Sequence, residues 1–220
     1  AEASRAISWV AMFTFLTPVI APVVGGYVAA WGVWPAVFWV QAVAGALCLV
    51  VTALFLPRVR KLFSGSLLES VKGYGAILSD RQAVGYMACS AFGFVGVIAF
   101  VTNSPFVMIE NFGLEPHHYG YGFAFVMLGG SIGAFFNGRL VQRLGISAML
   151  GIGTTLLGVG GAAGIVSVAA GAKLLGVLLP SLIYMFGVGF VFANTMARTL
   201  GRFPTRGGAA SSLFGVNQFL

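Results

Sequence analysis

The chain has 220 residues, of which 59% are hydrophobic, and a mean hydropathy of +0.97. Its 12 Lys and Arg and 5 Asp and Glu make 8% charged, against about 25% for a soluble domain, so there is too little polar surface to cover a water-soluble globule and a soluble enzyme is excluded. The net charge of +7 is scattered between apolar blocks instead of gathered on one face, which excludes a nucleic-acid partner and makes the lipid bilayer the expected one.

A bilayer core about 30 Å thick needs about 20 apolar helical residues. Between breaks of charge, Pro or Gly the sequence predicts six such spans, at 6–30, 34–56, 83–106, 119–138, 148–171 and 174–197. A seventh starts near Gly208 and runs only to Leu220, so the expectation is an all-α polytopic membrane protein with six complete spans and part of a seventh. The first run, after Arg5, is too long for the apolar core of a signal peptide. Cys48 and Cys89 both fall inside apolar runs, which leaves no disulfide framework and no metal cluster.

Orientation follows from the basic residues of the short loops. Arg5, the five between Arg58 and Arg81, Arg139 and Arg143, and Arg198, Arg202 and Arg206 fall on one side of this map, 11 of the 12, with Lys173 opposite. The N-terminus of the chain is therefore expected in the cytoplasm, with Arg139 and Arg143 in a basic cytoplasmic loop and Glu110, Glu115, His117 and His118 outside. His117-His118 lacks a third ligand in the sequence, so no metal is expected, and no cofactor.

Residues 57–82 form the one long loop. Ser66-Leu67-Leu68-Glu69 fits a helix-capping box, and Leu67, Leu68, Val71, Tyr74 and Leu78 recur at helical spacing, which predicts a short amphipathic helix on the cytoplasmic membrane surface, with a flexible basic linker as the alternative.

Glycines punctuate the later spans as small-xxx-small pairs: Gly129 with Gly133, Gly130 with Ala134, Gly160 with Gly164, and Gly189 with Ala193. In lipid such pairs let helix backbones approach closely. The G-x-G-x-x-A string at Gly158–Ala163 sits inside an apolar helix with no preceding strand, so it is no dinucleotide site. By this map no span interior holds Asp, Glu, His, Lys or Arg, the residues of proton relays and ion paths. The polar candidates are amides and a phenol. Asn103 shares a helical face with Phe92, Gly96 and Phe100, and Asn194 shares one with Phe190, Gly187 and Ile183. Each fits either an amphipathic cavity wall or a bond to a neighbouring helix, and Tyr184 joins them as a cavity candidate. Ser104-Pro105 after Asn103 frees backbone carbonyls, which favours the cavity there.

Leu16-Thr17-Pro18-Val19-Ile20-Ala21-Pro22-Val23-Val24-Gly25-Gly26-Tyr27, followed by Trp31-Gly32-Val33-Trp34 and Phe38-Trp39, resembles the fifth helix and following turn of major facilitator drug exporters of the bicyclomycin-resistance (Bcr/CflA) type. Ser104-Pro105-Phe106-Val107, Asn137-Gly138-Arg139-Leu140-Val141-Gln142-Arg143-Leu144-Gly145 and Asn194 agree in order, so the likeness covers nearly the whole chain. Ala21 stands where the broader motif has Gly, Pro35 replaces the usual Arg of the turn, and Ile146-Ser147 replace a basic pair.

The resemblance implies a major facilitator-like bundle seen from helix five to the start of helix eleven. Residues 1–56 would be the last two helices of the N-terminal half, 57–82 the linker between halves, and 83–220 a truncated C-terminal half. It implies proton antiport by alternating access across the bacterial inner membrane, a small amphipathic drug-like cargo, protons as the coupled ion, and a monomer. Pro18, Pro22, Gly25 and Gly26 would be the antiporter motif, bending and closely packing the first span. Phe92, Phe100, Asn103, Tyr184, Phe190 and Asn194 would be candidates for contact with cargo, and the coupling acid would lie in helices that precede this chain. An uptake carrier for a sugar or metabolite and a passive membrane anchor are the rival readings. The drug-antiporter element argues against the former, and the absence of buried charge is what favours the latter.

Overall fold

A computed structural model describes residues 2–30, 35–55 and 67–218. The helices are α1 (Glu2–Ala30), α2 (Ala36–Phe55), α3 (Leu67–Leu78), α4 (Arg81–Pro105), α5 (Pro116–Ala169), α6 (Leu174–Arg202) and α7 (Gly207–Val216). A π-helical turn (Phe106–Asn111) extends α4, and a 3₁₀ turn (Pro204–Arg206) leads into α7. Among the described residues there is no strand.

Five of these helices, α1, α2, α4, α5 and α6, are long and apolar enough to cross a membrane. A straight 54-residue α5 would run about 81 Å, far more than a bilayer. It does not run straight, because Gly145 sits at φ 80°, ψ 161°, outside the helical region and open to glycine at no steric cost. Contacts on either side of the break run in opposite order along α6. Gly129 and Gly133 lie against 182–186, while Gly153 lies against 187–191 and Gly160 against Pro180 and Tyr184. Rods 116–144 and 146–169 are therefore antiparallel, and the described residues hold six rods of membrane-spanning length. The sequence placed a loop between them; one glycine replaces it, so Arg139 and Arg143 lie on the helical rod 116–144 and not in a loop.

The helix α6 lies between the two rods. Its residues 187–191 and 193–195 are buried consecutively, as for a helix covered on all sides. Close crossing needs glycine on both helices: a Cβ on Gly189 would fall 2.5 Å from the backbone of Gly130 and Ala134, and one on Gly187 would fall 2.9 Å from the Gly153 carbonyl. Since lipid is as apolar as leucine, such backbone approach and the bonds it permits hold the helices together. One buried cluster joins Val97 of α4, Met108 of the π turn, Phe123, Val126 and Met127 of rod 116–144, and Met185 and Val188 of α6, with Met12 and Val19 of α1 packed on it. The whole run Phe38–Phe55 of α2 is exposed.

A short helix, α3, occupies part of the 57–82 segment. Its Ile77 is fully buried with Ala83 and Met87 of α4 and Ala210 and Phe214 of α7, and the Tyr74 and Ser212 hydroxyls lie 3.2 Å apart. Of the predicted stripe, Tyr74 meets α7 and Leu78 is exposed, while the residue that docks on protein is Ile77, outside that stripe. Ser66 lies outside the described residues, as does the Glu69 side chain, so the capping box does too. The cap that is present belongs to α4: Asp80 Oδ1 accepts from the amides of Gln82 (3.0 Å) and Ala83 (2.9 Å).

Candidate functional site

Proline at 105 has no N–H to give to Val101, and one turn later the helix widens so that the Phe112 amide donates to the carbonyl of Val107, five residues back, at 3.2 Å. The widened turn lies beside a cavity of about 300 Å³. Every lining residue comes from α4, the π turn, rod 146–169 or α6. Phe100, Asn103 and Tyr184 line it together; Ser104, which the sequence marked only as the neighbour of Pro105, and Ser181, which it did not single out, add two hydroxyls.

The phenol of Tyr184 crosses from α6 to α4, donating to the carbonyls of Gly93 (3.0 Å) and Phe92 (3.2 Å). The ring occupies the space that a Cβ on Gly96 would need. Opposite, Asn103 Nδ2 donates to its own helix at Ala99 (2.8 Å), which leaves the amide oxygen for other donors. The hydroxyls of Ser104 and Tyr119 lie 3.0 Å apart, and Phe100 stacks on Phe123 at 5.7 Å. Among the described residues no lining residue is ionisable near neutral pH, the phenol of Tyr184 being the one titratable group they bring to the wall. The arrangement can hold an apolar body and offer it a few neutral hydrogen bonds.

The other three cargo candidates lie elsewhere. Phe92 shares the α4 face of Gly96 and Asn103 but is 76% exposed and does not line the cavity; only its carbonyl takes part, accepting from Tyr184. Phe190 is buried against Val141 and Met149 where the two rods meet. Asn194 is wholly buried, its Nδ2 donating to Asn137 Oδ1 (2.6 Å) and to the Phe190 carbonyl (2.8 Å), so it joins α6 to rod 116–144. The face that Asn194 and Phe190 share is real, but a helix covers it.

Pro18 and Pro22 both lie inside α1, which continues past them. The close approach in this stretch is at Pro22, whose carbonyl would meet a Cβ on Gly120 at 3.5 Å. A Cβ on Gly25 would meet nothing within 4 Å among the described residues, so the tight packing expected there is not made by this part of the bundle. Gly26 is in α1, with its surroundings outside the described residues.

At the basic end, the Arg139 guanidinium lies 3.7 Å from the Phe135 ring centroid and 5.7 Å from that of Trp9, tying α1 to rod 116–144 by cation–π contact. Arg143 is exposed. Arg202 grips Asp80 Oδ2 with Nε (3.0 Å) and Nη2 (2.6 Å) and Gln82 with Nη1 (2.6 Å), and Arg198 donates to Ser147 Oγ (2.7 Å). The Arg202 guanidinium, then the Ala83 amide, hold the Asp80 carboxyl below its ordinary value. Among the described residues no group of His, Cys, Asp and Glu could hold a metal ion.

The sequence profile of the Major Facilitator Superfamily matches residues 1–220. The chain belongs to this superfamily. A major facilitator protein is a multi-pass membrane transporter and not an enzyme, in keeping with the six apolar crossings. The chain is 27% identical over 99% of its length to the bicyclomycin resistance protein homolog of Haemophilus influenzae, covering 56% of that protein. It is 27% identical over 98% of its length to the MFS-type transporter YdgK of Bacillus subtilis (55% of that protein), and 26% identical over 98% to the multidrug resistance protein MdtL of a Shewanella strain (54%). This major facilitator chain thus spans about half the length of the curated relatives it matches.

Proposed function

We propose that this chain is part of a secondary active exporter that moves small amphipathic drug-like molecules across the bacterial inner membrane by proton antiport and alternating access. Residues 1–56 complete one six-helix half, 57–82 link the halves, and 83–220 begin the second. The N-terminus of the chain is cytoplasmic, and the carrier works as a monomer. The observation that carries the reading is the uncharged cavity of about 300 Å³, walled by Phe100 and Tyr184 with the neutral polar groups of Asn103, Ser104 and Ser181. Sugars need many converging hydrogen bonds; this wall supplies few and much apolar surface, which suits an amphipathic cargo. The relatives' names, bicyclomycin resistance and multidrug resistance, point the same way. Two halves rocking about a midplane site would give alternating access.

The test is cargo ranking. In the full-length protein, Phe100→Ala or Tyr184→Ala should reorder the drugs exported more than it lowers total export, because an apolar pocket discriminates by about 1–3 kcal/mol per group. Uniform loss across all drugs, with less protein in the membrane, would make both residues packing elements and remove the cavity from the transport path.

A further inference from the structure

The basic end of the bundle holds a second cavity, of about 330 Å³, between the start of α4, the end of α6 and the turn at Gly145. Its wall carries Arg198, Arg202, Gln82 and Tyr86 over a floor of Ile146 and Ala197. We propose that this cavity binds a phosphate group, presented by the headgroup of an anionic phospholipid.

Hydrogen-bond accounting comes first. A guanidinium has five N–H donors. Arg202 commits three, two to Asp80 and one to Gln82, and Arg198 commits one to Ser147. Both oxygens of Asp80 are already engaged, one by two amides of α4 and the other by Arg202. The cavity therefore offers two fixed cations against one occupied carboxylate, with N–H groups to spare. Those bonds also hold the guanidiniums in place, so little side-chain freedom is lost when an anion arrives, and the planar fork matches a phosphate edge.

Depth selects the source. The apolar run read from the sequence ends at 197, within the membrane-length helix Leu174–Arg202, so at 1.5 Å per residue the backbone of Arg198 and Arg202 stands about 1.5 and 7.5 Å beyond that run. Each headgroup band is about 5–7 Å deep. Arg198 thus starts inside the headgroup band and Arg202 at its outer edge, so the space between them is at the level of lipid phosphates, and the Ile146 and Ala197 floor suits the glycerol carbons below.

Native mass spectrometry of the full-length protein in detergent, titrated with phosphatidylglycerol or phosphatidylcholine, tests the proposal. One phosphatidylglycerol should be retained above the phosphatidylcholine background. Arg198→Gln should weaken that retention about tenfold, as for loss of a charged hydrogen-bonding partner. Gly201→Leu is the second variant: a Cβ there meets nothing within 4 Å, so the side chain can fill the cavity while every charge stays. It should abolish retention too. Arg5→Gln, a basic residue outside the cavity, should change nothing. Displacement by millimolar inorganic phosphate would assign the site to a soluble phosphate, and persistence assigns it to lipid. Wild-type retention by either cavity variant, or equal loss in Arg5→Gln, overturns the proposal.

Discussion

Gly189→Ala adds a single methyl where α6 crosses rod 116–144. That carbon would lie 2.5 Å from both the Gly130 carbonyl oxygen and the Ala134 nitrogen, and because both are backbone, no side chain can swing away. Ordinary carbon contacts sit near 3.5–4.0 Å, so the helices must part by about 1 Å. Five residues along α6, the same parting stretches the 2.6 Å bond from Asn194 to Asn137 to about 3.6 Å, beyond hydrogen-bond range. Overpacking costs about 1–3 kcal/mol and an interhelical bond in lipid about 0.6–1.7, which together give a loss of about 2–5 kcal/mol. Unfolding of the purified protein by titrated dodecyl sulfate, followed by tryptophan fluorescence, reads this directly. Gly158→Ala is the control, because a Cβ there meets nothing within 4 Å and alanine favours the helix. If Gly189→Ala unfolds at the wild-type detergent fraction, or no earlier than Gly158→Ala, the crossing is not the close contact described.

Three further outcomes follow from the charges. A cysteine at His117, in a background lacking Cys48 and Cys89, should react with an impermeant thiol reagent outside intact cells, whereas one at Ser66 should not; the reverse pattern inverts the orientation. The Asp80 carboxyl is held below its ordinary value, so its contribution to stability is complete above about pH 4 and fades as the pH falls through the lowered value. The stability difference between wild type and Asp80→Asn should accordingly stay flat from about pH 5 to 8 and shrink only in stronger acid, and a slope near neutrality would refute the assignment. Glu110, exposed in the π turn, should be replaceable by Gln with drug-induced proton release in vesicles intact; lost coupling with retained drug binding would make it the relay.

Hydropathy made the six crossings legible, since lipid demands a length of apolar helix whatever the neighbours are. It could not show how the chain reverses. Arg139, Gln142 and Arg143 marked a break between spans, but nothing beside Gly145 showed that one residue would make the reversal, because its conformation is set by the two rods that flank α6. Asp80 could have been found, because an acid just before an apolar run is a helix-start signal. The candidate site was half legible. Helical spacing placed Phe100 with Asn103, but the matching of the Tyr184 ring to the gap at Gly96 depends on two helices 88 residues apart in sequence meeting at one level. The same limit hid Ser181 and let Asn194 stand as a cavity candidate: periodicity gives the face of a helix and never what covers it.

The joint at Gly145 also governs where the molecule can be handled. A one-residue hairpin has no slack, so an epitope or protease site inserted there must be accommodated by unwinding one of the rods that grip α6. The opposite rim differs. Around Gly113 and Gly171, both at positive φ in short non-helical links, the chain has a few residues that belong to no helix. Engineering access, for reporter tags or cleavable linkers, therefore belongs to that rim.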